Sequence, residues 1–245
     1  MRLVTGSRRY LITGGTSGIG DMCARHLTDA GHRVWVTGTR DESVSAATDR
    51  GSAVGGSVAD AADADAVSAA FDDAVRAFGG LDGAFLNAGI DGEGKPAEHL
   101  DAVTFRRVLD VNVVGILHGA QAAHRTLARP GAIVVNASVN AMRPEAHFAD
   151  YNASKAATSA LAATLAMEWS AQGLCVTCVC PGYFRTNMTA QYLDDPQISS
   201  ELLARIPAGR FGNATDIGAT VEFLLSNTAP FLSGAVIPIA GAGNL

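Results

Sequence analysis

Apolar residues in this chain come in short continuous runs, separated by longer stretches in which they recur every three or four positions. The runs at 10–13, 33–37, 83–86, 132–136, 175–179 and 235–239 contain mostly aliphatic or other apolar residues. A strand buried on both faces reads this way, because neither face meets water. A weaker, glycine-broken run at 52–58 predicts one more strand. Within 61–78, Val67, Phe71, Ala74, Val75 and Phe78 fall on one side of a helix. Further helices are predicted at 19–30, 43–50, 101–128 (interrupted by Gly115 and Gly119), 151–171 and 214–226. Residues 183–212 are polar and poorly periodic, and predict a long loop. Strands and helices alternate throughout, so the expected class is α/β: a doubly wound parallel sheet of about seven strands with helices on both faces. No linker, repeat or low-complexity segment breaks the pattern, which predicts a single domain over 1–245.

Composition narrows the function classes. At 48% apolar and 17% charged residues, the 245-residue chain is globular and long enough for a sizeable core. A formal net charge of −6 with no basic run argues against nucleic-acid binding, which needs a positive face. No apolar stretch reaches the roughly 18 residues of a membrane span. Residues 1–9 lack the long apolar core of a signal peptide. A soluble cytoplasmic protein is expected. Of Cys23, Cys175, Cys178 and Cys180, the C-x-x-C pair at 175 and 178 lies on a predicted strand, where residues three apart point to opposite faces. They cannot chelate one ion, and they read as small buried apolar residues. No metal site is expected; His26, His32, His99, His118, His124 and His147 show no ligand spacing either.

Two stretches carry candidate chemistry. Thr13-Gly14-Gly15-Thr16-Ser17-Gly18-Ile19-Gly20 stands between the first strand and the first helix of a β-α-β unit. Such glycines let the backbone turn tightly and approach a pyrophosphate, while the helix N-terminus supplies N–H groups and partial positive charge. The sheet is therefore expected to be Rossmann-type. The second stretch is Tyr151-Asn152-Ala153-Ser154-Lys155, which sets a tyrosine and a lysine one helical turn apart. Alone, such a pair is usually a surface tyrosine beside a solvated lysine. Ser138, just after the apolar run 132–135, and the glycine turn make hydride transfer the stronger reading.

With these residues in order along nearly the whole chain, the sequence resembles the short-chain dehydrogenase/reductase family. The resemblance rests on Thr13-Gly14-x-x-x-Gly18-Ile19-Gly20, Asn87-Ala88-Gly89, Asn112, Ser138, Tyr151-x-x-x-Lys155 and Pro181-Gly182 with Thr186. The run Arg210-Phe211-Gly212, followed by Asp216-Ile217, also looks like the family's C-terminal part. It implies an NAD(P)(H)-dependent oxidoreductase interconverting a secondary alcohol and a ketone. Tyr151 would be the acid or base, and Ser138 would hold the substrate oxygen. Lys155 would favour the phenolate, whose free pKa is near 10, and hold the ribose. Asn112 would disrupt its helix and hold a water of a proton relay. The resemblance assigns the cofactor to Gly14, Ser17, Gly18, Ile19, Gly20, Thr39, Arg40, Ser57, Val58, Asn87, Ala88, Gly89, Tyr151, Lys155, Pro181, Gly182, Phe184 and Thr186.

The sequence departs from the family at the adenosine end. The acidic residue that binds the ribose in NAD enzymes is replaced by Gly38, followed by Thr39 and Arg40. No carboxylate would repel a 2′-phosphate there, and Arg40 could pair with one, which favours NADP(H) over NAD(H). The glycine turn, however, carries Ser17 where many NADP enzymes have a basic residue. Ser57-Val58 replaces the usual adenine-contacting Asp, and Ala240-Gly241-Ala242 replaces Asp-Gly-Gly. Substrate-facing segments are expected at 140–148, at the stretch after Gly89 that includes Asp91, and in a substrate loop at about 183–212. Their candidate residues are Asn140, Met142, His147, Phe148, Tyr183, Met188 and Tyr192. This mixed pocket suits a medium-sized cyclic or aromatic small-molecule ketone or alcohol. Arg143 and Arg185 read as surface charges rather than as partners of an acidic substrate. The alternatives are an epimerase or tailoring enzyme of the same fold that recycles its hydride, and a catalytically silent NAD(P)-binding protein. The resemblance also implies a homotetramer or homodimer. The small residues Ala156, Ala157, Ala160, Ala163 and Ala166 would permit close helix contacts unless they pack on the sheet.

Overall fold

The computed structural model describes residues 6–244; the reading of residues 1–5 as part of an N-terminus without a signal peptide lies outside them. The described strands are β1 (Arg9–Thr13), β2 (Arg33–Gly38), β3 (Gly55–Val58), β4 (Leu81–Leu86), β5 (Leu127–Asn136), β6 (Leu174–Pro181) and β7 (Val236–Ile239). They form one seven-stranded sheet in the order β3-β2-β1-β4-β5-β6-β7, and every pairing is parallel. The order reverses beside β1, whose neighbours are β2 and β4. A crevice therefore opens at the carboxyl ends of these strands.

Nine α-helices cover the sheet among the described residues: α1 (Gly18–Asp29), α2 (Asp41–Asp49), α3 (Ala64–Phe78), α4 (Ala102–Leu109), α5 (Gly115–Thr126), α6 (Ala149–Trp169), α7 (Ala190–Leu193), α8 (Pro196–Ala204) and α9 (Ala214–Leu225). Two apolar cores result, one on each face. Leu11, Ile133 and Val135 join Phe71, Ile116 and Leu165. Tyr10, Ile12 and Val134 point the other way, towards Leu27, Ile217 and Val221. This is the period-2 alternation of a strand, with both faces covered by helices. Cys178 and Cys180 lie in the first core and Cys23 in the second; Cys175 is also buried. Among the described residues no helix is long and apolar enough to cross a membrane.

Several boundaries differ from the sequence pattern for local reasons. The helix expected from 61 begins at Ala64, because the Asp63 carboxylate accepts from the Asp65 and Ala66 N–H groups and caps it. The long helix expected over 101–128 runs from α4 through a π-turn (Asp110–Val114) into α5, and gives way to β5 at Leu127. Gly115 and Gly119 do not break it. A Cβ there would stand 2.8 Å from Ala61 Cβ and 2.8 Å from Leu86 Cδ2, so these glycines serve close packing. The polar segment 183–212 holds α7 and α8 rather than only loop; Asp195 caps α8 and Pro196 opens it. Of the alanines expected on the outer face of α6, Ala156 and Ala160 are exposed, while Ala166 is buried in the sheet-facing core.

Candidate active site

The glycine turn after β1 borders a cleft of about 350 Å³. Gly14 and Gly18 adopt left-handed backbone, with φ of 62° and 56°. A Cβ at Gly14 would stand 2.9 Å from Ala88 Cα, so only glycine lets the turn pass this close to the end of β4. Ser17 precedes α1 without a side-chain capping bond, which leaves the first N–H groups of the helix open to an anion in the cleft.

Hydrogen bonds tie the strand ends into a floor. Thr13 Oγ1 accepts from the Asn87 and Ala88 N–H groups at 2.9 and 3.1 Å. Asn87 Nδ2 donates to the Thr13 and Gly14 carbonyls, each at 3.1 Å. Asn136 Nδ2, from the end of β5, donates to Asn87 Oδ1 at 2.9 Å. The Asn136 carbonyl in turn accepts from Lys155 Nζ at 3.0 Å. Among the described residues Asn136 Oδ1 is buried with no hydrogen-bond partner, although Asn136 itself lines the cleft.

The first turn of α6 brings Tyr151 and Lys155 over this floor. Lys155 Nζ lies 5.6 Å from the Tyr151 ring centroid. Ser138, two residues past β5, lines the cleft beside Tyr151, and its Oγ accepts from the Asn140 N–H at 3.2 Å. Asn112 sits in the π-turn, which realigns the helix locally. Its carboxamide donates to the Ile90 carbonyl and the Ser154 hydroxyl, each at 3.0 Å, and accepts from the Ile90 N–H at 2.8 Å. Thr158 Oγ1 donates to the Asn112 carbonyl at 2.8 Å.

The electrostatics differ from a simple lysine-assisted phenolate. Burial pushes the Tyr151 phenol above its ordinary value; the nearby Ser138 hydroxyl opposes this, and the Asp91 charge adds to it. Burial lowers Lys155 from 10.5 to about 8, with Cys178, Cys180 and Asp91 pulling the other way. Desolvation is thus the leading effect on both groups. The surrounding side chains alone do not lower Tyr151 into the neutral range.

Most residues expected to meet a cofactor line this cleft: Gly14, Ser17, Gly18, Ile19, Thr39, Asn87, Ala88, Gly89, Tyr151, Lys155, Pro181, Gly182, Phe184 and Thr186. Four do not. Gly20 packs beneath the turn, where a Cβ would stand 2.2 Å from the Gly14 carbonyl. Arg40 is exposed just beyond Thr39. Ser57 is taken up elsewhere: its Oγ accepts from Trp35 Nε1 and donates to Asp73 Oδ2, each at 3.0 Å. Val58 is exposed at the end of β3. The polar groups at that end of the cleft are instead Asp60 and Arg107, paired at 2.7 Å. The Ala62 N–H and Arg107 hold the Asp60 carboxyl below its ordinary value. Asp60 stands two residues past the expected strand position, and Arg107 joins it from a distant helix, so spacing alone gave no signal for the pair.

The expected substrate residues separate. Met188 lines the main cleft. Asn140 and Tyr183 line a second cavity of about 270 Å³ that shares Gly182 with it; there the Tyr183 hydroxyl donates to Glu145 at 2.7 Å. Phe148 and Tyr192 meet edge to face, with centroids 6.1 Å apart. Met142 and His147 are exposed and line neither cavity.

Residues 14–241 match the family model described as enoyl-(acyl carrier protein) reductase. The chain is 33% identical to 3β-hydroxysteroid dehydrogenase 1 of Eggerthella lenta over 246 residues, covering 97% of this chain and 94% of that protein. It superposes on a 3-oxoacyl-[acyl-carrier protein] reductase from Brucella melitensis in complex with NAD, with a TM-score of 0.88, 27% identity and 98% of each chain covered. It superposes equally on an actinorhodin polyketide ketoreductase with NADPH, at a TM-score of 0.88 and 26% identity, again over 98% of each chain.

Proposed function

Because the chain belongs to the short-chain dehydrogenase/reductase family, we propose that its cleft performs that family's chemistry through Tyr151, Ser138, Lys155 and Asn112. The protein is an NAD(P)-dependent oxidoreductase that interconverts a secondary alcohol and a ketone. The observation that carries the site assignment is the convergence of Ser138, Tyr151 and Lys155 at one wall of the cleft, opposite a glycine turn with an uncapped helix behind it.

The cleft fits a nicotinamide dinucleotide. The left-handed glycines leave room for a diphosphate at the N-terminus of α1, whose first N–H groups carry no side-chain cap from Ser17. When bound, the dinucleotide supplies the hydride acceptor or donor and, in its oxidised form, a positive charge beside Tyr151. Tyr151 holds the proton that goes to or comes from the substrate oxygen, and Ser138 orients that oxygen towards it. Lys155, seated on the Asn136 carbonyl, keeps N–H groups for ribose hydroxyls. Asn112 fixes the Ile90 segment beside Lys155 and, in this reading, positions a relay water there. Arg107 and Asp60 meet the adenosine end in place of Ser57.

NADP(H) is the preferred cofactor in this reading. Gly38 carries no ribose-binding carboxylate, and a Cβ there would stand 2.7 Å from Thr16 Cγ2, so a side chain at this position would require Thr16 to shift. Arg40, two residues on, presents an exposed guanidinium. The protein acts on a small-molecule ketone or alcohol, in the cytoplasm, as a homotetramer or homodimer that uses the exposed Ala156 and Ala160 of α6. A paired titration with NADPH and NADH, read by nicotinamide fluorescence and followed by a panel of secondary alcohols and ketones, tests it. The expected result is NADPH binding at least about tenfold tighter, with a net change in cofactor redox state during turnover. Turnover without that net change means internal hydride recycling, and binding without any turnover means a silent protein; either overturns the reading.

A further inference from the structure

Asp91 is a half-buried carboxylate beside the reacting groups that the mechanism above does not use. It follows Ile90, which lines the cleft and whose backbone is held by Asn112. One carboxylate oxygen accepts from the Gly92 N–H at 2.9 Å, and the other accepts from the Tyr192 hydroxyl at 3.3 Å. Tyr192 arrives from α7, packed edge-on against Phe148, three positions before Tyr151. Both Tyr151 and Lys155 sense the Asp91 charge. Gly92, the next residue, packs against Asp150, the residue before Tyr151, so Asp91 and the Tyr192 hydroxyl meet side by side between the cleft wall at Ile90 and the start of α6.

A purely structural role would be to tie α7 to the segment after β4. The contact is poorly suited to that alone. At 3.3 Å it is longer than an ordinary O–H···O hydrogen bond, and it leaves most of the lone pairs of both groups unused. A hydroxyl entering between them would donate to the carboxylate and accept from the phenol. An ammonium would fit less well, because Lys155 already places a cation nearby. The neighbouring Asp150 does not compete for the guest, since its two oxygens accept from the Tyr151 and Glu93 N–H groups at 2.8 and 2.9 Å.

We propose that Asp91 and Tyr192 form a second polar anchor that holds a substrate hydroxyl other than the reacting one, so that the preferred substrates are diols and hydroxyketones. This rests on the alcohol–ketone reading of the site. The test compares kcat/KM for cyclohexanol with those for the cis and trans isomers of cyclohexane-1,2-, 1,3- and 1,4-diol, using wild-type enzyme and the preferred oxidised cofactor. At least one diol is expected to exceed cyclohexanol by about tenfold to a hundredfold, the range for a hydrogen bond to a charged group. In Asp91→Ala and in Tyr192→Phe that ratio is expected to fall to within about threefold of unity, whatever happens to the absolute rates. A role confined to tying α7 would lower all substrates together and leave the ratio intact. The inference is overturned if cyclohexanol outperforms every diol, or if the ratio survives in both variants. If no alcohol or ketone is turned over with either cofactor, the underlying function fails and this inference with it; turnover with a flat ratio removes this inference alone.

Discussion

Asn112 holds both backbone groups of Ile90, accepting from its N–H at 2.8 Å and donating to its carbonyl at 3.0 Å. An unbroken α-helix would carry Asn112 in a different register. The π-turn at Asp110–Val114 absorbs one extra residue and turns the carboxamide across to the segment after β4. The defect in the helix is thus what fixes the Asn87–Asp91 wall of the cleft.

Replacing Asn112 with Ala would leave the half-buried Ile90 N–H and carbonyl without this partner and strip the buried Ser154 hydroxyl of one of its bonds. A loss of about 2–4 kcal/mol is expected. Urea unfolding of Asn112→Ala checks this, and a value near zero would mean that the wall is held by other contacts.

Tyr151→Phe removes only the hydroxyl. Turnover is expected to fall by about 10²–10⁴, the usual share of a positioned acid or base. NADPH affinity, measured by fluorescence, should change by less than about threefold. Retained turnover would place the proton elsewhere.

Lys155 titrates near 8 in the folded protein, below its ordinary 10.5. Below about pH 8 both folded and unfolded chains carry this proton, so the fold bears the full penalty of a buried charge. Between about 8 and 10.5 the unfolded chain binds more protons, and stability rises with pH as the penalty is relieved. Lys155→Met should therefore melt higher than wild type at pH 7, by an equivalent of about 1–3 kcal/mol after the lost bond to Asn136 is counted. The advantage should vanish towards pH 10.5. A variant less stable at every pH would show that the ammonium contributes more than its burial costs.

Arg40→Ala tests cofactor choice. If the exposed guanidinium pairs with a 2′-phosphate, the NADPH-to-NADH affinity ratio falls about tenfold. An unchanged ratio would leave Arg40 as a solvated surface charge.

Asp91 bears on the pH profile as well as on specificity. Its negative charge opposes ionisation of Tyr151 and raises that phenol. Asp91→Asn removes the opposition, so the acid limb of alcohol oxidation should move to lower pH. A limb that stays in place or moves upward would separate Asp91 from the proton-transfer step.

Most of the fold could be read from the chain because each strand is an apolar run and each crossover carries a helical period. The glycine turn, Asn87, Asn112, Ser138, Tyr151 and Lys155 were legible as motifs, since each is tied to the end of a strand or the face of a helix. What escaped the sequence depends on tertiary capture. Ser57 looks available until Trp35 and Asp73 take its hydroxyl. Arg107 becomes a cleft residue only when α4 carries it to Asp60. The cap at Asp195 and the opening Pro196 were signals for α8, but the segment's mixed apolar pattern hid the helix.

The substrate-side segment from Tyr183 onward meets the rest of the cleft through side-chain ties, among them Tyr183 to Glu145 and Tyr192 to Asp91, and through a backbone bond from the Ala208 N–H to the Gly241 carbonyl, while a bridge between Phe184 and Gly212 draws its own two ends together. The reacting groups rest on a separate footing, the hydrogen-bonded chain from Thr13 through Asn87 and Asn136 to Lys155. The molecule is therefore built as a cassette on a chassis. Grafting a different stretch between Thr186 and Gly212, which spares the cofactor-facing Phe184 and Thr186, can exchange one alcohol for another without re-solving hydride transfer.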